Sequence, residues 1–424
     1  MANFMKKFEL LAPAGNILKM RTALFAGADA VYLGIPDFSL RVRINDFDLE
    51  SVALAIKEAH SQKKKVYVTL NIFAHNKHLE KLPAYVKQIK VMAPDGLIIS
   101  DPGVMAIVKK VWPEGEIHLS TQANCTNAAA AKFWYDNGVT RVVLGREVTL
   151  LEIKEIHSAV PKLELEYFAH GAMCMAYSGR CFLSKELVDR SGNLGDCAQP
   201  CRWEYSIKAK NHEEEFDLVE EEHGTYLLNS KDMCLLEYLP QLIDAGIISF
   251  KIEGRAKSVY YQAVVSGIYA RALDLLNQKP SEAVWKKELK YLKAELVDKL
   301  VHRGYTSGFL LGGKAEQNLT SANHQSDWEF CGQVIESEAD WFKPVLKTGE
   351  QVLCFQVHNT IKAGDQVEII GPKYDIIKIS PKKIFDAKTG EELSEAHGGG
   401  GSRTALIIVK EKVLAFSVLR RKII

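Results

Sequence analysis

The chain has 424 residues, of which 47% are hydrophobic and 25% are charged, and its 54 basic and 53 acidic side chains give a formal net charge of +1. These values are typical of a folded globular protein and exclude disordered, collagen-like and coiled-coil classes. A near-neutral charge excludes a general polyanion-binding surface, so contact with nucleic acid requires a local basic patch. The apolar runs are shorter than the ~20 residues of a membrane span, and no secretory leader is recognisable, so we expect a cytoplasmic protein.

Short apolar runs with the strand pattern alternate with stretches of helical periodicity between residues 9 and 255. Eight strands are predicted, at Glu9–Ala12, Ala30–Gly34, Val66–Asn71, Gly96–Asp101, Ile117–Gln122, Arg141–Arg146, Leu163–His170 and Ser249–Glu253. Most of these runs are apolar, as in parallel strands that are buried on both faces. The pattern predicts an α/β fold in which residues 1–325 form a (β/α)8 TIM-like barrel, with an open doubly wound sheet as the alternative.

Polar side chains recur where the predicted strands end. Such residues are Asn71, Asp101, Gln122, Arg146 and His170. Because the carboxyl ends of the strands form the catalytic face of a TIM barrel, we expect the active site there. A simple helix-capping role is the alternative for Asp101, since aspartate is a preferred N-cap residue.

The regular spacing of strands and helices breaks after the seventh strand, where residues of about 171–248 form a cysteine-rich insertion. From Trp328 onward the pattern changes to short alternating strands, which predicts a small antiparallel β-barrel domain over residues 326–424. Its strands are predicted at Phe330–Ile335, Gln351–Phe355, Gln366–Ile370, Ala405–Val409 and Val413–Ser417. The basic end of the chain, Leu419–Ile424, is either a contact for RNA backbone or a solvated edge.

Four of the eight cysteines lie close together in the chain, with the spacing C-x6-C-x15-C-x3-C: Cys174, Cys181, Cys197 and Cys201. In a reducing compartment such a cluster more often binds metal or performs redox chemistry than forms disulfides. The gaps differ from the paired C-x2-C knuckles of zinc ribbons. They favour an iron–sulfur cluster over zinc, or over thiols that are merely buried.

The string Glu166–Ser184, around the first two of these cysteines, resembles the signature of peptidase family U32, the collagenase-like peptidases. Further stretches carry the same resemblance in the same order: Leu10–Gly15, Gly27–Gly34, Asn71–His75, His118–Gln122 and Phe250–Ser258. The resemblance extends from Glu9 to about Phe309. The tail from Trp328 resembles the C-terminal β-barrel domain of that family more weakly.

The resemblance implies oxygen-independent hydroxylation rather than proteolysis. The chain is most similar to the type that makes 5-hydroxyuridine at the wobble position of tRNA, and the family implies prephenate as the hydroxyl donor and a 4Fe–4S cluster. By this resemblance Cys174, Cys181, Cys197 and Cys201 are expected to hold the cluster, with Cys234 as an alternate ligand. A collagenase-like peptidase is the alternative function, as is a hydroxylase of ribosomal RNA or of a small aromatic compound.

Cationic side chains near the predicted strand ends are candidates for binding the carboxylates of prephenate. They are Arg146, Lys251 and Arg255. A guanidinium suits this role because it pairs with a carboxylate through two parallel hydrogen bonds. The alternative is that these cations form ion pairs with Glu147 or Glu253 around the barrel rim.

Acid–base candidates also lie near the strand ends. His75, His118 and His170 are candidates for shuttling protons, with a hydrogen-bonded structural histidine as the alternative for each, and Glu253 and Asp101 are weaker candidates. The uridine must reach them by flipping out of the anticodon stack of the tRNA partner. The sequence does not specify an electron donor or a partner subunit.

Overall fold

The computed structural model describes residues 8–35, 38–39, 46–174, 176–177, 180–194, 196–203, 206–208, 215–217, 230–313, 316–318, 326–336, 342, 346–398 and 403–423. The predicted insertion at about 171–248 is therefore described in part, and the residues just before the predicted boundary at 325–326 lie outside these ranges. Among the described residues, no helix combines the length and apolarity that crossing a bilayer requires.

The strands of the first part of the chain are β1 (Glu9–Ala14), β2 (Ala30–Gly34), β3 (Lys65–Leu70), β4 (Gly96–Ile99), β5 (Ile117–Leu119), β6 (Arg141–Val143), β7 (Glu164–Ala172), β8 (Ser206–Lys208), β9 (Glu215–Asp217), β10 (Asp232–Cys234), β11 (Ile247–Ile252) and β12 (Tyr305–Thr306). The helices are α1 (Ile17–Ala26), α2 (Leu49–Ser61), α3 (Asn76–Leu79), α4 (Leu82–Met92), α5 (Pro102–Val111), α6 (Ala128–Asp136), α7 (Leu150–Ala159), α8 (Leu183–Val188), α9 (Leu239–Asp244), α10 (Val259–Asn277) and α11 (Glu282–Lys299).

Eight parallel strands close into a barrel. Each strand from β1 to β7 pairs with the next, β7 pairs with β11, and β11 returns to β1. The predicted (β/α)8 barrel is therefore confirmed, and the alternative of an open sheet is wrong. Two short strands extend the sheet beside the barrel. The strand β10 runs antiparallel to β7, and β12 pairs with β10.

Local capping residues determine where the helices around the barrel begin and end. The Asn16 side chain accepts a hydrogen bond from Lys19 N at 2.9 Å at the start of α1, and Gly27, with φ of 120°, ends that helix. Asp101 caps α5 in the same way by accepting from Val104 N at 2.9 Å. The capping role considered for Asp101 is thus the one that the structure records.

The tail forms a second, antiparallel sheet with the strands β13 (Trp328–Val334), β14 (Gln351–Val357), β15 (Ile361–Lys362), β16 (Val367–Ile370), β17 (Ile376–Ile379), β18 (Ile384–Asp386), β19 (Glu392–Leu393), β20 (Glu395–Ala396), β21 (Thr404–Val409) and β22 (Val418–Lys422). Eight of them follow the order β17-β16-β22-β13-β14-β21-β18-β19, and β15 pairs with β20. The predicted antiparallel β domain is therefore confirmed, and in the described part of the tail, where no pairing joins β17 to β19, its sheet has the form of a half-barrel.

The prediction of a last strand at Val413–Ser417 is wrong. Phe416 has a φ of 69°, a left-handed conformation that interrupts an extended backbone. The strand follows it instead, at Val418–Lys422, and lies between β13 and β16 in the sheet interior.

The two arginines at the basic end of the chain form ion pairs within the protein, so they are neither an RNA contact nor part of a solvated edge. Arg420 is fully buried and pairs with Glu295 and Glu368, each at 2.6 Å. Arg421 pairs with Glu329 at 2.9 Å and with Asp365 at 3.2 Å. The prediction fails because an interior strand buries these side chains against carboxylates that are distant in sequence.

Candidate active site

Charged side chains lie inside the barrel, below its mouth. Arg141 Nη1 lies 2.6 Å from Glu9 Oε1 and 3.3 Å from Glu166 Oε2, while Lys251 Nζ lies 2.8 Å from Glu166 Oε1. Ser249 Oγ donates to both carboxylates, at 2.8 and 3.2 Å. Such pairing is required because a buried charge loses its hydration. Burial opposes ionisation of Glu166, but Lys251 and Arg141 lower the pKa of its carboxyl below the usual range.

A cavity opens above this network at the carboxyl ends of the strands. The strands and the segments directly after them contribute side chains that include Tyr32, Asn71, Gln122, Arg146, Phe168, Lys251, Glu253 and Arg255, and the insertion contributes Cys174, Cys181, Cys197 and Cys201. Three of the polar residues predicted at the strand ends, Asn71, Gln122 and Arg146, therefore meet the cysteine cluster in one place. This is the catalytic face expected of a TIM barrel.

Arg146 is placed to bind an anion. Its guanidinium carbon lies 3.6 Å from the centre of the Phe168 ring, and Nη2 lies 4.0 Å from Glu253 Oε2, at the limit of an ion pair. Its Nε is buried and has no hydrogen-bond acceptor among the residues that the structure describes. A buried guanidinium with an unused donor is a favourable site for a carboxylate.

Lys251 and Arg255 complete a group of three cations in the cavity lining. Lys251 Nζ lies 4.4 Å from the centre of the Tyr32 ring and pairs with Glu166, rather than with the Glu147 or Glu253 considered from the sequence. Arg255 Nη1 donates to Ser39 Oγ at 3.0 Å. The sequence reasoning missed Glu166, although a glutamate between Leu165 and Tyr167 within the predicted strand was a usable signal.

The four clustered cysteines all have free thiols that line this cavity. Cys174 and Cys197 are exposed, and Cys181 and Cys201 are half-buried. The backbone N–H of Gln199 donates to Cys197 Sγ at 3.3 Å.

The electrostatics of the cysteines also show that they are neighbours. Burial raises the pKa of the Cys201 thiol, Arg202 opposes the shift, and the Cys174 and Cys197 thiols add to it. Four thiols on one cavity are a donor set that fits an iron–sulfur cluster. Within the described ranges, however, no three histidine, cysteine, aspartate or glutamate side chains form a metal-binding group, so binding requires the thiols to draw together.

Cys234, the alternate ligand, lies outside the cavity lining. Its Sγ is 3.7 Å from the Tyr269 hydroxyl, and burial raises the pKa of its thiol. The packing around Cys234 is that of a structural thiol, and Cys201 is the cysteine that shares a cavity with the other three.

The structure does not bring His170 into the cavity. The register of β7 and β11 shifts between the pairs Phe168–Lys251 and His170–Ile252, so Ala169 is an extra residue in β7. A β-bulge of this kind breaks the alternation of side chains between the two faces of a strand. His170 is therefore turned away from the interior that Phe168 and Lys251 line.

Three tyrosines surround His170 outside the cavity. The rings of Tyr261, Tyr269 and Tyr305 lie 5.4 to 6.0 Å from its ring, and the Tyr269 hydroxyl is 3.4 Å from Nδ1. Burial lowers the pKa of His170 to about 3. His170 is therefore neutral at physiological pH, and it is buried away from the residues that line the cavity.

The depressed pKa of His170 predicts a loss of stability in mild acid. Because the ordinary value is near 6.5, the unfolded chain binds the proton more readily between pH 6.5 and 3, so stability contributed by His170 is present above pH 6.5 and lost below it. The stability advantage of the wild type over His170→Asn should shrink by up to ~1.4 kcal/mol per pH unit in this window. Urea unfolding at pH 7.5 and pH 5.5 measures it, and an advantage that stays constant would contradict the assignment.

Of the other acid–base candidates, the two histidines lie away from the cavity, and Glu253 lines it. His118 is buried, its ring 4.6 Å from that of Tyr67, and burial lowers its pKa. His75 begins the short helix α3. Glu253 is the one predicted carboxylate that lines the cavity, and it accepts a hydrogen bond from the Tyr32 hydroxyl at 3.2 Å.

A closed (β/α)8 barrel whose carboxyl face holds a polar, cysteine-walled cavity defines a TIM-barrel enzyme. Residues 15–320 match the model of Peptidase family U32. The chain belongs to peptidase family U32, as its sequence motifs indicated.

Relatives of the chain carry two kinds of name. It is 41% identical to "tRNA hydroxylation protein P" of Helicobacter pylori (strain ATCC 700392 / 26695), over 99% of this chain and 100% of that protein. It is 38% identical to "tRNA hydroxylation protein P" of Escherichia coli (strain K12), over 93% of both chains. It is also 30% identical to "Collagenase" of Porphyromonas gingivalis (strain ATCC BAA-308 / W83), over 96% of this chain and 95% of that protein.

Proposed function

We propose that this enzyme hydroxylates a wobble uridine of tRNA to 5-hydroxyuridine without oxygen, with prephenate as the hydroxyl donor and an iron–sulfur cluster as cofactor. The observation that carries the proposal is the similarity, along nearly the whole chain, to two proteins named for tRNA hydroxylation. A cytoplasmic location and an RNA partner that binds through its anticodon region are part of the same proposal.

The cluster would be held by Cys174, Cys181, Cys197 and Cys201. When bound, it would supply one-electron redox chemistry at the wall of the cavity. The four free thiols on one cavity support this role, and the separate, half-buried position of Cys234 argues against it as a ligand.

The three cations of the cavity would bind and orient the carboxylates of prephenate. Arg146 offers a buried donor with its guanidinium plane held against Phe168, and Arg255 and Lys251 lie on the same lining. Glu166 pairs with Lys251 and fixes its ammonium group at the floor of the cavity. A donor held by several fixed cations would be positioned for reaction without further reorganisation.

The remaining lining suits a flipped pyrimidine. The Asn71 amide donates to Gln122 Oε1 at 3.3 Å, and Ser120 also bonds to that oxygen. Amide groups match the alternating donors and acceptors on the edge of a uracil ring, and the aromatic ring of Tyr32 lines the same cavity. These groups would recognise the base once it has left its stack.

The relative named collagenase favours peptidase activity as a second candidate function. A cysteine peptidase needs a thiolate with a base beside it, most often histidine. No histidine is among the residues described as lining the cavity, and His170 is buried outside it. The geometry therefore supports a role in binding a cofactor better than a role in nucleophilic attack for these thiols.

The Arg146→Ala variant is expected to bind prephenate about 10- to 100-fold more weakly, because it removes charge-assisted hydrogen bonds to a carboxylate. Calorimetry on the purified protein without oxygen measures the dissociation constant. The matched control is Arg190→Ala, since Arg190 pairs with Asp196 and does not line the cavity. An unchanged dissociation constant for Arg146→Ala would contradict the assignment of Arg146.

The proposed reaction is tested on the RNA of cells with and without the gene, grown without oxygen. Mass spectrometry of nucleosides should show 5-hydroxyuridine and its derivatives in tRNA only when the gene is present. A hydroxylated nucleoside that depends on the gene in ribosomal RNA instead would reassign the substrate. RNA of unchanged composition would favour the small aromatic or the peptide substrate.

A further inference from the structure

Three large aromatic side chains of the insertion project into solvent. Tyr177 is 61% exposed, Phe182 is 74% exposed and Trp203 is 41% exposed. Single exposed apolar residues are common, but a group of exposed rings beside a functional cavity marks an interaction surface. These rings contribute little to the barrel core, so their exposed aromatic surfaces are available for contact with a partner.

All three rings lie beside the cysteine-walled cavity. Tyr177 itself lines the cavity, Phe182 directly follows the lining residue Cys181, and Trp203 directly follows the lining residue Arg202. The segments that carry Phe182 and Trp203 are in contact, because α8 packs against the short helical turn before Trp203. A partner that enters the cavity therefore passes these rings.

The charges next to the rings are those of an anion-binding surface. Neither Arg180 nor Arg202 has a carboxylate in ion-pair range among the described residues: Arg180 Nε donates to Asn124 Oδ1 at 2.6 Å, and Arg202 Nη1 donates to Gln199 Oε1. Arg202 Nε is buried without an acceptor. Two guanidinium groups free of carboxylate pairing are complementary to a phosphate backbone.

We propose that Tyr177, Phe182 and Trp203 form a stacking surface for the single-stranded nucleotides that flank the target base, with Arg180 and Arg202 at their phosphates. Aromatic rings interleaved with cations are the means by which proteins hold unpaired nucleotides, since every base has a π face. The inference rests on the proposed function and deepens it. It places the RNA-reading surface on the same insertion that carries the cysteines, so that the loop both walls the cavity and receives the RNA.

The test measures binding of a fluorescently labelled anticodon stem–loop RNA to the full-length protein, prepared without oxygen, by anisotropy. Each of Tyr177→Ala, Phe182→Ala and Trp203→Ala should raise the dissociation constant about 5- to 100-fold. Phe133→Ala is the matched control, because Phe133 is 58% exposed on α6 and does not line the cavity. It should bind as the wild type does.

Three further variants separate stacking from loss of the cofactor or of the loop structure. Tyr177→Phe and Trp203→Phe retain a ring and should keep affinity within about threefold, whereas Phe182→Leu, apolar but not planar, should bind as weakly as Phe182→Ala. Iron content is measured on each sample. The alanine variants should lose RNA affinity while they keep the iron content of the wild type. If the Phe182→Leu variant bound RNA as tightly as the wild type does, the stacking assignment would be overturned.

The outcomes distinguish this inference from the proposed function. Alanine variants that bind RNA as the wild type does, in a protein that still hydroxylates tRNA, overturn the stacking surface alone and assign the exposed rings to a protein partner. A wild-type protein that binds no RNA overturns both. Weakened RNA binding in the alanine variants supports the surface even where the hydroxylated nucleoside proves to be a different one.

Discussion

The Cys197→Ser variant is expected to lose its iron–sulfur cluster and all formation of 5-hydroxyuridine. The Cys197 thiol lines the cavity with the three other clustered cysteines and accepts a hydrogen bond from the Gln199 N–H, and cysteine sulfurs are the ligands that an iron–sulfur cluster requires. Serine offers a similar shape but a poor ligand for iron. Iron and acid-labile sulfide should fall from about four per chain to nearly none.

The matched control is Cys234→Ser, because Cys234 is a half-buried free thiol that lies outside the cavity lining. This variant should retain the iron of the wild type and its tRNA modification. A full cluster in Cys197→Ser, or its loss in Cys234→Ser at unchanged folding, would contradict the ligand set. The second result would make Cys234 the fourth ligand in place of Cys201.

The Arg420→Ala variant is expected to be destabilised by about 3 kcal/mol or more. Arg420 is fully buried and joins the tail sheet to the barrel part of the chain. Its guanidinium contacts Glu368 on β16, Glu295 on α11 and the Tyr374 hydroxyl, at 2.6, 2.6 and 2.8 Å. Its removal leaves two buried carboxylates whose remaining buried cation is Lys299, at 2.9 and 3.1 Å, with the exposed Lys378 farther from Glu368.

Urea unfolding followed by tryptophan fluorescence measures the loss. The control is Lys378→Ala, which removes a cation 3.7 Å from the same Glu368 but whose side chain is 80% exposed. Exposed pairs contribute about 0–1 kcal/mol, so this control should unfold near the wild-type midpoint. Equal unfolding midpoints for Arg420→Ala and the wild type would show that Arg420 does not hold the tail against α11.

The barrel could be predicted because its strands repeat a local pattern. Ala30–Gly34, for example, is an apolar run between polar segments, and α1 starts at a capping Asn16 and ends at Gly27. The convergence of Arg146 and Lys251 could also be predicted, since the carboxyl ends of parallel strands meet at one face.

The features that the sequence did not reveal depend on contacts between distant residues. The extra residue Ala169 in β7 turns His170 away from the interior, and a bulge is visible only in the pairing of two strands. Arg420 looked like part of a basic edge because its partner Glu295 lies far away in the sequence. Only the closed fold reveals which charges are buried together.

The cavity thiols are proposed to hold an iron–sulfur cluster for hydroxylation instead of acting as a peptidase nucleophile. The content of iron and acid-labile sulfide in wild-type protein purified without oxygen, together with an absorption spectrum, tests this role directly. We expect about four iron and four sulfide per chain, with thiolate-to-iron absorption. A colourless protein after reconstitution, or a site that takes up zinc in place of iron, would contradict it.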